Sequence, residues 1–269
     1  MINLSIIIVS FNTEKLTLNC IKSVELEGSK INKEIIVIDN NSTDGSARSL
    51  ALLVKRNGEI KFIGNDKNLG FAKAVNQGIK QAKGKYILLL NSDSYVLKGV
   101  FNKPLNFIRQ EPSAGVIGAR LINTNGKVQP SVTHLPTISG AIGEYWLGKK
   151  SSYEMYAPES SKPIEVEAVF GAAFLITPKA LKKVGLLDER YFMYFEDLDY
   201  CRRVRKSNLG VYYLPTAKII HHHGESGKSL ARAEDQWRRL IPSSKIYHGI
   251  IKHYLINFII RSGSLTRGD

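Results

Sequence analysis

Apolar residues run almost unbroken through "LSIIIVSFN" (4–12), "EIIVIDNNS" (34–42) and "KYILLLNSD" (85–93), and each run ends in polar residues. Short continuous runs rich in isoleucine, valine and leucine are the pattern of strands buried on both faces. Between them the period changes. Residues 13–24 place Leu16, Cys20 and Val24 on one helical face, and 46–56 follow the turn-forming Asp44-Gly45. Phe71, Ala74, Val75, Gly78, Ile79 and Ala82 share a third face before Lys83-Gly84 stops it. The predicted order is β-α-β-α-β-α-β.

Strands alternating with helices imply a mostly parallel sheet covered on both faces, with ligands bound beyond the carboxyl ends of the strands. Ser10-Phe11-Asn12, Asp39-Asn40-Asn41 and Asn91-Ser92-Asp93 all fall at that edge. Their coincidence is the first pointer to function. After about residue 99 the alternation fades. Strand patterns recur at 115–119, 166–177 and 211–223, and 123–163 reads as long loops of the kind that bind ligands or move over them. At the end, Tyr247, Ile250, Ile251, Tyr254, Leu255, Phe258 and Ile259 fall at helical spacing, with Lys245, His248, Lys252 and Arg261 near the polar side. That spacing predicts a basic amphipathic helix over 245–261.

A chain of 269 residues, 43% apolar, can bury one large core. Cys20 and Cys201 are its only cysteines, which excludes a disulfide scaffold and cysteine-built zinc and suits a reducing compartment. No run reaches the ~18 apolar residues of a spanning helix. The start shows no basic leader or cleavage site, so a cytoplasmic protein is expected, peripheral at the inner face of the membrane. The net charge of +14 is concentrated at the C-terminal end, where residues 200–269 hold 13 Lys or Arg against 4 Asp or Glu. Such an excess suits nucleic acid, an anionic membrane or a phosphorylated substrate, and does not choose among them.

The polar clusters each admit a structural and a chemical reading. Asp39 either shapes an Asx turn or, where a buried strand emerges, accepts the imide N–H of a uracil or thymine ring. In "NLGFAKAVNQG" (68–78), Gly78 suits helix packing, while the helix start near Phe71, with Asn68 or Asn76, can hold ribose or phosphate. Asp93 either caps a turn or holds a divalent cation through its oxygens. In "YFMYFEDLDYCRR" (191–203), Asp199 is placed to pair with Arg202 or Arg203, whereas Glu196 and Asp197 point apart and are open to separate roles. Gly171 and Ala172 are small where a strand passes the cleft, for packing or for a ligand. In "IIHHHGES" (219–226), His221 and His223 share one strand face and are candidates for a metal.

Taken in order along the chain, these motifs resemble family 2 glycosyltransferases of the GT-A fold, over about residues 3–226, and especially bacterial enzymes that transfer rhamnose or related sugars to polysaccharide. The resemblance implies a GT-A type Rossmann-like α/β sheet at 1–226, with a nucleotide-binding half (1–98), an acceptor-binding half (99–226) and a helical extension (227–269). It implies that Val9, Ser10, Phe11 and Asp39 hold the base and that Asn41 belongs to the donor site. Asn68, Gly70, Phe71 and Asn76 would lie near ribose and diphosphate. Asn91 and Ser92 would belong to the nucleotide-sugar site, and Gly171 and Ala172 would lie close to the donor sugar. Asp93, with His221 and His223, would bear Mg²⁺ or Mn²⁺. Where many such enzymes carry Asp-x-Asp, this chain has Asn91-Ser92-Asp93, with one charged ligand. The resemblance also makes Asp197 the general base and assigns Glu196 and Tyr194 to the acceptor.

The activity this implies is inverting transfer of rhamnose from dTDP-rhamnose, or of a sugar from a UDP-sugar, to a hydroxyl of a cell-surface polysaccharide or lipid-linked glycan. A sugar-phosphate nucleotidyltransferase is the rival enzyme, although "VSFNTEK" lacks the glycine-rich loop it needs. A non-catalytic basic protein is the third reading. Nucleic acid is not an expected partner. The 245–261 helix either meets the membrane peripherally or packs on its own domain or a partner subunit, as in a homodimer.

Overall fold

The computed structural model describes residues 2–149, 153–222 and 236–267. Three apolar runs become β1 (Leu4–Ser10), β2 (Lys33–Asp39) and β4 (Tyr86–Leu90), with β1 paired in parallel to both others. They are apolar on both sides because both sides are covered. Ile6, Ile8, Ile35 and Val37 enter one core with Cys20, Ile21 and Val24 of α1 (Glu14–Leu26) and Leu50 of α2 (Ser46–Arg56). Ile7, Ile36 and Ile38 enter the other with Ala72, Val75 and Ile79 of α3 (Phe71–Gln81). A Cβ at Gly78 would lie 2.7 Å from Ile7 Cγ2, so this glycine lets α3 sit close to the sheet.

The remaining strand of this half is β3 (Ile60–Gly64), at the sheet's edge beside β2. Only Ile60 is fully buried, so it lacks the two-sided apolar run that located the others. The second half adds β5 (Ser94–Val96), α4 (Asn102–Gln110), β6 (Ala114–Ile122), β7 (Val132–Thr133) and α5 (Ile138–Ala141), which widens into a turn through Trp146. There follow β8 (Ile164–Val166), β9 (Ala168–Val169), β10 (Ala173–Ile176), α6 (Pro178–Val184), α7 (Glu196–Lys206) and β11 (Gly210–His221). The sheet order is β3-β2-β1-β4-β10-β6-β11-β5, with β8 beside β11.

The segment 166–177, which reads as one strand, is divided among the end of β8, β9 and β10. This division positions the site. β10 runs antiparallel between β4 and β6 with Ala173 opposite Leu90, so Gly171 and Ala172 arrive beside the polar end of β4. β11 brings His221 opposite Ser94 at the same edge.

The C-terminal region is two helices rather than one, α8 (Gln236–His248) and α9 (Ile250–Arg267), separated at Gly249, whose φ of +80° suits glycine. Ser243 Oγ donates to Met193 O at 2.7 Å, tying α8 to the segment before α7. Ile256 and Ile259 pack on Ala141. Among the described residues no helix is long and apolar enough to cross a membrane.

Candidate active site

The ends of β1 and β2 are laced together. Thr43 N donates to Asn12 Oδ1 at 2.7 Å and Asn12 N to Ser42 Oγ at 2.9 Å. Asp39 accepts from Ser42 N through Oδ2 at 2.9 Å, while its buried Oδ1 has no hydrogen-bond partner. A buried acceptor left open at a sheet edge is a costly arrangement unless a ligand donor completes it. Val9 and Phe11 lie half-buried at the same edge, and Asn41 is exposed with φ +68°.

Asn40 organises the next loop, a role the sequence did not assign it. Its Nδ2 donates to Asn68 Oδ1 at 2.8 Å and its Oδ1 accepts from Leu69 N at 3.0 Å and Asn65 Nδ2 at 3.1 Å. Asn68 Oδ1 also receives Gly70 N at 2.9 Å. Gly70 has φ +84°, and a Cβ there would lie 2.5 Å from Phe192 O. Phe71 N donates to that same carbonyl at 2.7 Å, so the start of α3 is docked on the aromatic segment before α7. One N–H of this helix start is therefore already used.

Some predicted donor-site side chains turn inward instead. Asn76 is buried and satisfied by Leu187, its Nδ2 donating to Leu187 O at 2.9 Å and its Oδ1 accepting Leu187 N at 3.1 Å. It joins the two halves and does not face the donor. The hydroxyls of Ser10 and Ser92 meet Thr17 at 2.9 Å and Thr13 at 3.1 Å in the scaffold beneath the edge. A polar residue at a strand end alternates in direction with its neighbours, and the pattern alone does not say which one faces out.

At the end of β4, Asp93 and His221 are both buried, with Asp93 Oδ1 3.2 Å from His221 Nε2. Asn91 Nδ2 lies 3.3 Å from the same nitrogen, and His221 Nδ1 lies 3.1 Å from Gln129 Oε1. Burial alone would raise the Asp93 carboxyl, but the hydrogen bond and charge of His221 outweigh it and hold the carboxyl below its ordinary range. Gln129 gave no signal in the sequence, because its partner is 92 positions away. Among the described residues no group of three or more His, Cys, Asp or Glu could hold a metal. His223 lies outside the described residues.

Asn91 N donates to Ala172 O at 3.0 Å, and Gly171 N donates to Asp197 Oδ2 at 3.0 Å. A short backbone bridge thus connects the Asp93 end of the sheet to α7. Asp197 Oδ1 accepts Leu198 N at 2.8 Å. Burial raises the Asp197 carboxyl despite these backbone donors. Glu196 is buried with Oε2 unpartnered, and burial followed by the Asp197 charge pushes its carboxyl up as well. Tyr194 and Phe195, immediately before them, both have φ +68°, a left-handed conformation that costs side-chain-bearing residues energy. Strain directly ahead of a buried and a half-buried acid is characteristic of a functional site. Asp199 does what its spacing predicts: it binds Arg202 Nη2 and Arg203 Nε, each at 2.7 Å.

The chain is similar to known glycosyltransferases. The family model described as "Glycosyl transferase family 2" matches residues 5–185. An N-acetylglucosaminyl-diphospho-decaprenol L-rhamnosyltransferase of Mycobacterium tuberculosis is 28% identical over 210 residues, covering 71% of this chain and 67% of the relative. The low-salt glycan biosynthesis hexosyltransferase Agl10 of Haloferax volcanii is 26% identical over 225 residues, 82% of this chain and 67% of the relative. Among solved structures, GalNAc-T7 with UDP, GalNAc and Mn²⁺ superposes with a TM-score of 0.65 at 17% identity, over 82% of this chain and 44% of that one. The mannosyltransferase PcManGT of Pyrobaculum calidifontis, with GDP-Man and Mn²⁺, gives 0.61 at 11% identity, over 94% of this chain and 63% of that one. The chain thus spans less than half of the first structure and about two thirds of the second. The shared fold is the GT-A arrangement that the sequence motifs imply.

Proposed function

The chain belongs to glycosyl transferase family 2, and on that premise we propose that it is an inverting enzyme that moves a sugar from a nucleoside diphosphate to a hydroxyl of a glycan or lipid-linked acceptor. Family membership displaces the nucleotidyltransferase and non-catalytic readings. The observation that carries the proposal is a pair of aspartates whose acidities are pushed in opposite directions. Asp93 is held low beside His221 and Asp197 is raised by burial, with the Asn91–Ala172 and Gly171–Asp197 contacts between them. Environments that separate two carboxyls in this way suit them to different tasks.

Asp197 is the general base. As the acceptor oxygen bonds to the anomeric carbon, the carbon–oxygen bond to the diphosphate breaks and the hydroxyl proton passes to the Asp197 carboxylate. One displacement inverts the centre, through a transition state of oxocarbenium character. Gly171 N–H and Leu198 N–H hold the carboxylate in place. Glu196 and Tyr194 serve the acceptor. Asp39 Oδ1 takes the imide N–H of the base, and the loop fixed by Asn40 and Asn68 shapes the ribose side.

The Asp93 end fits a divalent cation. His221 is held between Gln129 Oε1 at its Nδ1 and Asp93 Oδ1 at its Nε2, and a cation bound here would take the place of the Nε2 proton between imidazole and carboxylate. The Asp93 carboxylate, completed by substrate phosphates, would give Mg²⁺ or Mn²⁺ the oxygen ligands it takes, with His221 as an added nitrogen donor. Such an ion would neutralise charge on the departing diphosphate. The name of the M. tuberculosis relative supports L-rhamnose as the sugar, and the UDP bound to GalNAc-T7 supports a UDP-sugar as the other donor class.

The test is a panel of nucleotide sugars, dTDP-rhamnose included, assayed for binding and for nucleoside diphosphate release with and without Mg²⁺ or Mn²⁺. Turnover of at least one donor, increased by the cation, is expected. If no donor binds or turns over, the proposal fails.

A further inference from the structure

Of the apolar face that the sequence predicts over 245–261, Tyr247 and Ile259 pack and the rest does not. His253, Ile256 and Ile259 are buried against the protein, while Ile250, Ile251, Tyr254, Leu255 and Phe258 are exposed, Ile251 by 84% and Phe258 by 63%. Positions 250, 254 and 258, flanked by 251 and 255, form one continuous stripe along the helix. Trp146 and Leu147, also exposed, adjoin its far end, with Trp146 Nε1 donating to Ile259 O at 3.2 Å and to Ser262 Oγ at 3.0 Å. Seven large apolar side chains on one outer surface are far more than isolated exposed residues require explaining.

The charge around this stripe identifies what it meets. Residues 236–267 carry six Lys or Arg and no Asp or Glu. Lys245 Nζ lies 5.1 Å above the Tyr254 ring, at the edge of the stripe. On the packed side of α9 a cleft of about 720 Å³ is lined by Lys206, Lys252 and His248 together with Ile138 and Ile256, and by Arg202, which is already paired with Asp199. A second copy docked stripe to stripe would set the lysines of 236–267 against one another, with no carboxylate of that segment to meet them. An anionic bilayer complements them, and indole, phenol and lysine side chains beside an aliphatic stripe are the composition of a helix lying in the lipid interface.

We propose that α9, with Trp146 and Leu147, is an interfacial platform that seats the protein on an anionic lipid bilayer. The Ser243–Met193 hydrogen bond links this platform to the segment that leads into Glu196 and Asp197, so a seated enzyme holds its acceptor side near the lipid surface. The inference is independent of the transfer chemistry.

The experiment is co-sedimentation of the full chain with phosphatidylcholine vesicles, with and without phosphatidylglycerol, and in rising salt. Binding to the phosphatidylglycerol vesicles is expected, weakening as salt increases. Ile251→Ser with Phe258→Ser should reduce it by about tenfold or more, and Lys245→Gln with Lys252→Gln by about tenfold. Thermal unfolding and nucleoside diphosphate binding should stay at wild-type levels in the apolar pair, whose side chains are already in solvent, which separates this test from the catalytic proposal. The inference is overturned if the vesicles do not bind the wild type, if the substitutions leave binding unchanged, or if the stripe instead mediates a concentration-dependent dimer that the serine pair dissolves.

Discussion

Glu196 and Asp197 are neighbours on one helical turn, yet their surroundings differ. Asp197 receives backbone N–H groups from Gly171 and Leu198, whereas Glu196 keeps one oxygen without a partner. Burial raises both carboxyls, so the fold favours their protonated forms. For Glu196 the sign follows directly. The folded state binds the proton more tightly than the unfolded chain, so the associated stability is present below the unfolded pKa and is lost as pH rises through the raised folded value. Glu196→Gln should therefore increase thermal stability by about 1 kcal/mol or more near pH 8, with the gain shrinking toward about pH 5. Melting curves across that range check it, and a pH-independent difference would contradict the burial of a charged Glu196. In the same sense, transfer should rise with pH through a midpoint above the usual carboxylate range, because the base must lose its proton to act.

At this scale the sequence showed which residue types stand at the sheet edge but not which side chains turn toward the cleft. Asp39, Asp93 and His221 were legible as polar ends of buried strands. Asn40 and Gln129 were not, because their partners come from loops distant in the chain. Asn76 was legible as polar and misread in role, since Leu187, 111 positions on, takes its amide.

Among the elements, the long strands and α1 to α3 could be located because each carries an unambiguous period. The edge strand β3 could not, being buried at one residue. Nor could the break at Gly249, because an apolar pattern continues across it while the chain turns there and the second helix folds back on the first through Ser244–His253 and Lys245–Tyr254. The loop from 65 to 70 has the most specific geometry. Gly70→Ala would force a Cβ to 2.5 Å from Phe192 O in a left-handed backbone, so it should destabilise the protein by about 2 kcal/mol or more. Urea unfolding checks the loss, and nucleotide affinity should fall with it. Gly171→Ala, whose Cβ would meet Asp197 Oδ2 at an ordinary 3.5 Å, should leave unfolding within about 0.5 kcal/mol of wild type.

For the whole molecule, one sheet runs through both parts of the chain by the β4–β10 and β5–β11 pairings, and polar ties between α3 and the 187–192 segment add to it. Asn76 joins α3 to Leu187, and Phe71 N joins the same helix to Phe192. Asn76→Ala leaves Leu187 N–H and C=O buried without these partners, and should cost about 1–3 kcal/mol for each group. Chemical unfolding measures the loss. The overall architecture was readable from alternating periods and from motif order. The joining of the halves was not, because it depends on contacts between residues more than a hundred positions apart.

In the proposed mechanism a half-buried aspartate at the start of α7 takes the acceptor's proton while the adjoining carboxyl edge of the sheet holds the donor. The most direct measurement is the single-turnover transfer rate of Asp197→Asn, with donor affinity determined on the same preparation. Asparagine preserves the size of the side chain and removes the base. The mechanism predicts a rate lower by about 10²–10⁴-fold with donor affinity within about threefold of wild type. Transfer at close to the wild-type rate would contradict it.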